Sequence, residues 1–343
     1  MDRTPTTLLE AVTYFADADR AHEYAVRLRW PNGIACPRQG CGSASVQVLA
    51  KRRKFRCKEC RRDFTAKVGT IFEESPIPFT KWLPAIWLLA NTKNGTSSHE
   101  LGRALGVTQK TAWFMLHRIR VAMKADSFSP LAGEVEADET FVGGRTHKTK
   151  VTPTGKRVPI HGPATGKTTV FGMIERGKPS RVRAMVVPDH KRASLLPHIQ
   201  QNVLPGSVLY TDALRSYRNI GPEYRHEFID HMVTYVEGRV HTNTIENFWS
   251  CLKRTLHGTY IAPRAFHLGA YVDEQVFRFN ERKDNDGGRF AKVLKATDGH
   301  RLTYAQLTAS HTVWRLRPGR VARGIARRAA MQAAPIQGTS DRT

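Results

Sequence analysis

Four of the five cysteines stand within one short window, and that window limits what the front of the chain can become. CPRQGCG supplies Cys36 and Cys41 with four residues between them; FRCKECRRDF supplies Cys57 and Cys60 with two. Each pair forms one knuckle, and four thiolates complete a tetrahedral zinc site. The 16 positions from Cys41 to Cys57 suit a short antiparallel hairpin carrying both knuckles. Four protein ligands leave no open coordination position, so the zinc is structural rather than catalytic. The run KRRKFRCKECRR puts basic side chains on this ribbon, where they can meet phosphates. Cys251 stands apart and reads as an inert core cysteine.

The charge points the same way. Lys and Arg number 54 against 30 acids, a formal net charge of +24, and the excess recurs along the chain. A surplus of this size calls for a polyanionic partner. The N-terminal MDRTPTTLLEAVTYFADADR has no apolar signal-peptide core. The most apolar stretch, Trp82 to Ala90, is too short for a bilayer and contains Pro84. A soluble, intracellular protein with no membrane partner is the expectation.

At 343 residues the chain can build two or three cores. A multidomain α/β architecture is expected: helices over 1–33, a zinc ribbon over 34–75, helices over 76–126, a domain of strands mixed with helices over 131–311 and a disordered basic tail over 312–343. Within 76–126, TSSHELGRALGVTQKTAWFMLHRIRVAM carries a capping box, Ser97 with Glu100. A first helix with Leu101 and Leu105 turns at Gly106, and a second, starting after Thr108, buries Ala112, Leu116 and Ile119. That is a helix-turn-helix layout, with Gln109, Lys110 and Thr111 at the exposed start of the DNA-reading helix. SFSPLAG follows as a linker.

From Gly133 short strands dominate: EVEADETFV, TTVFGMIE, RVRAMVV and SVLYTD. The basic stretch Gly143 to Lys167 is expected to be a mobile loop. Alternation puts Glu134, Glu136 and Asp138 on one face of the first strand, and Asp212 closes the last. On the helix HTNTIENFWSCLKRTLHGTY, Ile245, Trp249, Leu252 and Leu256 form a buried stripe beside a polar one holding Asn243, Glu246, Ser250, Lys253 and His257. Carboxylates converging from separate elements suit hard divalent cations. Two such ions, roughly 3.5–4 Å apart, neutralise the attacking and leaving oxygens of a phosphodiester. TGKTTVF is no P-loop, because position 161 is His and a strand follows; HEFIDH lacks the second His of a zinc protease.

EVEADETFVGG, YTDALRSY, HTNTIENFWSCLKRTLHGTY, the two cysteine knuckles and the later RFNERK and LTYAQL resemble bacterial insertion-sequence transposases of the DDE type, most closely IS family 1595. The resemblance runs from about Ala21 to His311. It implies an RNase H-like domain, a mixed sheet with helices, in which Asp138, Asp212 and Glu246 hold Mg or Mn. Some members of that family use Asn as third ligand, and Asn243 lies one turn from Glu246. Lys253 and Arg254, on the same helix, are candidates for DNA contact, with Asn243 and Lys253 as accessory groups. The implied partners are DNA (terminal inverted repeats and target) and further copies of the chain on the DNA ends, in a bacterial, nucleoid-associated setting. The rival reading is a non-catalytic zinc-ribbon and helix-turn-helix regulator, which has no use for the acidic triad.

Overall fold

The computed structural model describes residues 4–124, 129–143, 149–152, 154–159, 166–212, 215–217, 220–229, 241–261 and 263–309. The tail beyond 309 and part of the expected linker lie outside them. The chain divides into two compact units, Met1–Arg301 and Leu302–Thr343. In the second, the described structure is one short helix, α10 (Tyr304–Thr308), started by a Thr303–Gln306 capping box.

The first unit opens on α1 (Leu8–Ala16) and α2 (Ala18–Arg29), each begun by a side-chain cap, Thr7 and Asp17. The ribbon follows as a three-stranded sheet, β1 (Val46–Leu49), β2 (Lys54–Cys57) and β3 (Asp63–Phe64), with antiparallel pairing throughout. Then come α3 (Phe79–Asn91), α4 (Ser98–Leu105) and α5 (Gln109–Met123). The Ser97–Glu100 capping box forms, and Gly106 leaves α4 at φ 58°, a left-handed turn that suits a residue without Cβ. Ala112, Leu116 and Ile119 of α5 are buried as their spacing requires.

The main sheet is built from β4 (Glu134–Val142), β7 (Thr168–Glu175), β8 (Arg181–Val187), β9 (Val208–Asp212) and β10 (Arg225–Ile229). Their order is β10-β9-β4-β7-β8. β4 pairs antiparallel with β7 and parallel with β9, so the sheet is mixed and β4 is central. Side-chain alternation gives it two apolar faces. Val135, Ala137, Phe171, Met173 and Leu209 pack beneath α6 (Arg192–Asn202). Val170, Ile174, Val182 and Ala184 pack against α7 (Asn243–Gly258) and α8 (Leu268–Asn280).

Two features depart from the sequence expectation. Part of the stretch expected as a loop is an antiparallel hairpin, β5 (Thr149–Val151) with β6 (Arg157–Pro159). The first four residues of HEFIDH, set aside as a failed protease motif, belong to an edge strand, β10, and the rest lie outside the described residues. Among the described residues no helix is long and apolar enough to cross a membrane.

The ribbon, α1–α5, the end of α8 and α9 (Asp286–Lys295) share one core, which includes Cys36, Cys57, Phe55, Trp87, Phe277 and Phe290. Sequence-distant parts are thus pinned together, and a buried ion pair reinforces the joint. Arg120 of α5 donates to Glu274 of α8 at 2.5 Å, both almost fully buried, and Arg278 binds the same carboxylate. The Arg120 guanidinium lies 4.1 Å from the Tyr271 ring centroid. Removing one member of a buried pair strands its partner. Glu274→Gln should therefore cost about 3–5 kcal/mol in urea unfolding. A loss below about 1 kcal/mol, the range of exposed pairs, would mean that the ion pair does not hold this joint.

Candidate active site and metal centre

The cysteines meet the requirements of a zinc centre. Among the described residues they form the group whose ligand atoms all lie within 4.8 Å of one another. Cys36 Sγ is 3.8 Å from Cys60 Sγ, and Cys41 Sγ is 3.6 Å from Cys57 Sγ. A zinc tetrahedron with bonds of about 2.3 Å has sulfur–sulfur edges of about 3.8 Å, which these two separations match. The Arg62 amide, opposed by partial burial, takes Cys60 down to about 7. Cys41, despite a backbone hydrogen bond from Ser43, is pushed up to about 11 by burial and the neighbouring thiols, so the four thiols share their protons unevenly. Zinc is structural here. Since Cys36 and Cys57 also belong to the core shared with the helices, its effect extends beyond the ribbon. Cys57→Ser should reduce zinc from about one per chain to substoichiometric and lower the melting temperature of the whole helical core. Unchanged zinc content or an unchanged melting curve would contradict this.

The acids gather on the α7 face of the sheet. β4 and β9 run parallel with Glu136 opposite Tyr210, and continuing that register sets Asp138 beside Asp212. Both acids point away from the face that buries Ala137 and Leu209. Glu246, exposed on the first turns of α7, accepts from Thr242 Oγ1 at 3.2 Å. Burial first, then the charge of Asp212 and, more weakly, that of Glu246, raise Asp138 from 3.8 to about 7. Asp138 therefore senses both other acids, although the three are less tightly gathered than the cysteines.

Three groups that sequence reasoning did not assign to the site hold it together. Glu136, fully buried, accepts from the Ile245 amide at 2.9 Å and from Thr244 Oγ1 at 2.7 Å, satisfying the open N-terminal turn of α7. Arg176 balances its charge at 2.7 Å. Trp249, which the periodicity marks only as core, donates from Nε1 to Asp138 Oδ2 at 2.9 Å. The indole has room because Asp138 pairs across the ladder with Gly172; a Cβ there would sit 2.6 Å from the Trp249 ring. On the opposite face Glu139, held by Tyr217 at 2.5 Å, is raised to about 8, chiefly by burial.

Other predicted residues lie elsewhere. Asn243 is exposed at the first residue of α7, and Lys253 and Arg254 are exposed further along it. Gln109, Lys110 and Thr111 open α5 rather than any element of the acidic cluster; Gln109 Nε2 donates to Ser98 Oγ at 2.8 Å. Cys251 is not in the core but half-buried against a cavity.

A carboxylate whose pKa rises on folding is stabilising while protonated and loses that contribution as it ionises. For Asp138 the loss runs from about pH 4, its unfolded value, up through about 7. Zinc-loaded protein free of other divalent cations should thus lose stability across that window, and Asp138→Asn should flatten the decline. Equal slopes for the two proteins in denaturant midpoint against pH would contradict the assignment.

Comparison with known proteins adds the family. Residues 130–280 match the family model of the ISXO2-like transposase domain, and residues 16–63 match the transposase zinc-ribbon domain. The chain is 31% identical over 255 residues to an uncharacterized protein in transposable element ISH50 of Halobacterium salinarum, covering 71% of this chain and 84% of that relative. It is 38% identical over 101 residues to an uncharacterized transposase-like protein of Haemophilus influenzae, covering 29% of this chain and 81% of the relative.

Proposed function

Because the chain belongs to the IS family 1595 transposases and carries their N-terminal zinc ribbon, we propose that it binds the inverted-repeat ends of its own element and catalyses cation-dependent cleavage and strand transfer. One observation carries the reading: Asp138 and Asp212 each lie two residues beyond the paired Glu136 and Tyr210 of adjacent parallel strands, with the helix of Glu246 seated over the same face. The strand order, three antiparallel strands followed by two parallel ones on the far side of β4, supports an RNase H-like domain.

The donor set suits magnesium or manganese. Hard cations take carboxylate oxygens, and two mutually repelling acids gain most from a cation between them. Bound at Asp138, Asp212 and Glu246, such ions supply charge neutralisation at the attacking and leaving oxygens of a phosphodiester. The chain's own groups do the positioning. Trp249 fixes one oxygen of Asp138, Thr242 draws Glu246 toward the start of its helix, and Glu136 keeps that helix in register. In this reading α4 and α5 form the helix-turn-helix, with Gln109, Lys110 and Thr111 facing base edges and Lys253 and Arg254 facing phosphates.

The test is a cleavage and strand-transfer assay on a short element carrying its native ends. Asp138→Asn, Asp212→Asn and Glu246→Gln should each abolish both reactions while end binding persists. Their losses should not add, because the three act as one site. Manganese should replace magnesium. A chain that binds ends but shows no chemistry with either ion is a regulator and overturns the catalytic reading. An active Glu246→Gln protein beside an inactive Asn243→Ala protein moves the third ligand to Asn243.

A further inference from the structure

A cavity of about 300 Å³ opens where the C-terminal end of α3 meets α7 and α8, with α9 beside it. Lys93, Arg254, Arg278, Arg282 and Arg289 line it, and among its described lining residues there is no carboxylate. Arg278, buried, Arg289, half-buried, and Arg282, exposed, are each held in place by hydrogen bonds. Arg278 donates to Thr92 O at 2.9 Å, Arg282 to Ser180 Oγ at 2.7 Å, and Arg289 to Asn91 Oδ1 at 2.9 Å. Two acids touch this group: Asp286 pairs with Arg289, and Glu274 is divided between Arg120 and Arg278, which leaves Lys93, Arg254 and Arg282 to set the balance. Positive charge is therefore in surplus. Arg278 also buries Nη1 without a hydrogen-bond partner, a costly state for a charged donor. Lys93 and Arg254 stand exposed at the rim.

Preorganised guanidinium groups around an open, acid-free cavity match a phosphate. α7 says which kind. It carries Glu246 near one end and Arg254 eight residues later, about 12 Å along the axis, or three to four base steps at about 3.4 Å each. A strand whose phosphodiester lies at the acids can place another at this cavity. We propose that the pocket is a second anchoring site for the DNA backbone, a few nucleotides from the point of chemistry; the inference rests on the reading that the chain acts on DNA.

Cys251 lines the same cavity and, outside the zinc centre, is the one cysteine open to modification, so it reports occupancy in the intact protein. Zinc-loaded wild-type protein is treated with iodoacetamide alone, with duplex carrying the element's ends, with random duplex, and with inorganic phosphate at matched ionic strength. End duplex should slow Cys251 alkylation at least about tenfold, and inorganic phosphate far less. In parallel, Lys93→Gln combined with Arg254→Gln should lower the log–log salt slope of DNA binding by about 0.9 or more, the value for one phosphate contact. DNA binding with unprotected Cys251 and an unchanged slope overturns the pocket while leaving the DNA reading intact. Protection by inorganic phosphate but not by duplex makes it a small-anion site and likewise overturns the proposal. Failure to bind any duplex removes the proposed function itself, and this inference with it.

Discussion

The site depends on a buried carboxylate at the start of a helix. Glu136 has no solvent exposure, and its oxygens are taken up by the Ile245 amide, the Thr244 hydroxyl and Arg176. A charge so buried is tolerable only while every partner stays in place. If α7 slid along the sheet, it would leave Glu136 and the first amides of the helix unsatisfied together. Asp138 stands two residues along the same strand and Glu246 one residue beyond Ile245, so the contact that seats the helix also sets the third acid opposite the first. Trp249, one helical turn further on, closes the arrangement through its bond to Asp138.

Strain of another kind is concentrated at Asp138. Burial, and then the neighbouring Asp212, disfavour its charged form and raise its pKa to about 7, although the indole hydrogen bond of Trp249 works the other way. The apolar face that fixes the geometry is the same one that makes the negative charge uncomfortable. In the proposed reading a cation would relieve that discomfort, and ion binding would then be coupled to the stability of this centre.

Much of this was legible in the sequence, for local reasons. Period-two alternation gave β4, β7 and β8 their limits and put Glu136 and Asp138 on one face. The buried stripe Ile245, Trp249, Leu252 and Leu256 is local too, as are the cysteine knuckles. What escaped was non-local or ambiguous in pattern. Nothing in the alternation tells an acid that seats a helix from one that faces a second acid, so Glu136 and Asp138 looked alike. Glu139 and Tyr217 meet across 78 positions, and Arg120 and Glu274 across 154. β10 is an edge strand of mixed polarity, RHEFI, with no apolar run to announce it. The acids themselves were legible as positions; their convergence rests on a strand register and a helix seat that only the folded chain supplies.

Anomalous diffraction from crystals of the zinc-loaded protein soaked in manganese tests that convergence most directly. The account predicts manganese bound by oxygens of both Asp138 and Asp212, within about 2.0–2.3 Å, with the carboxylate of Glu246 turned toward it and Glu136 still at the Ile245 amide. Manganese held elsewhere, or an ion at Asp138 with Glu136 released from α7, would contradict it.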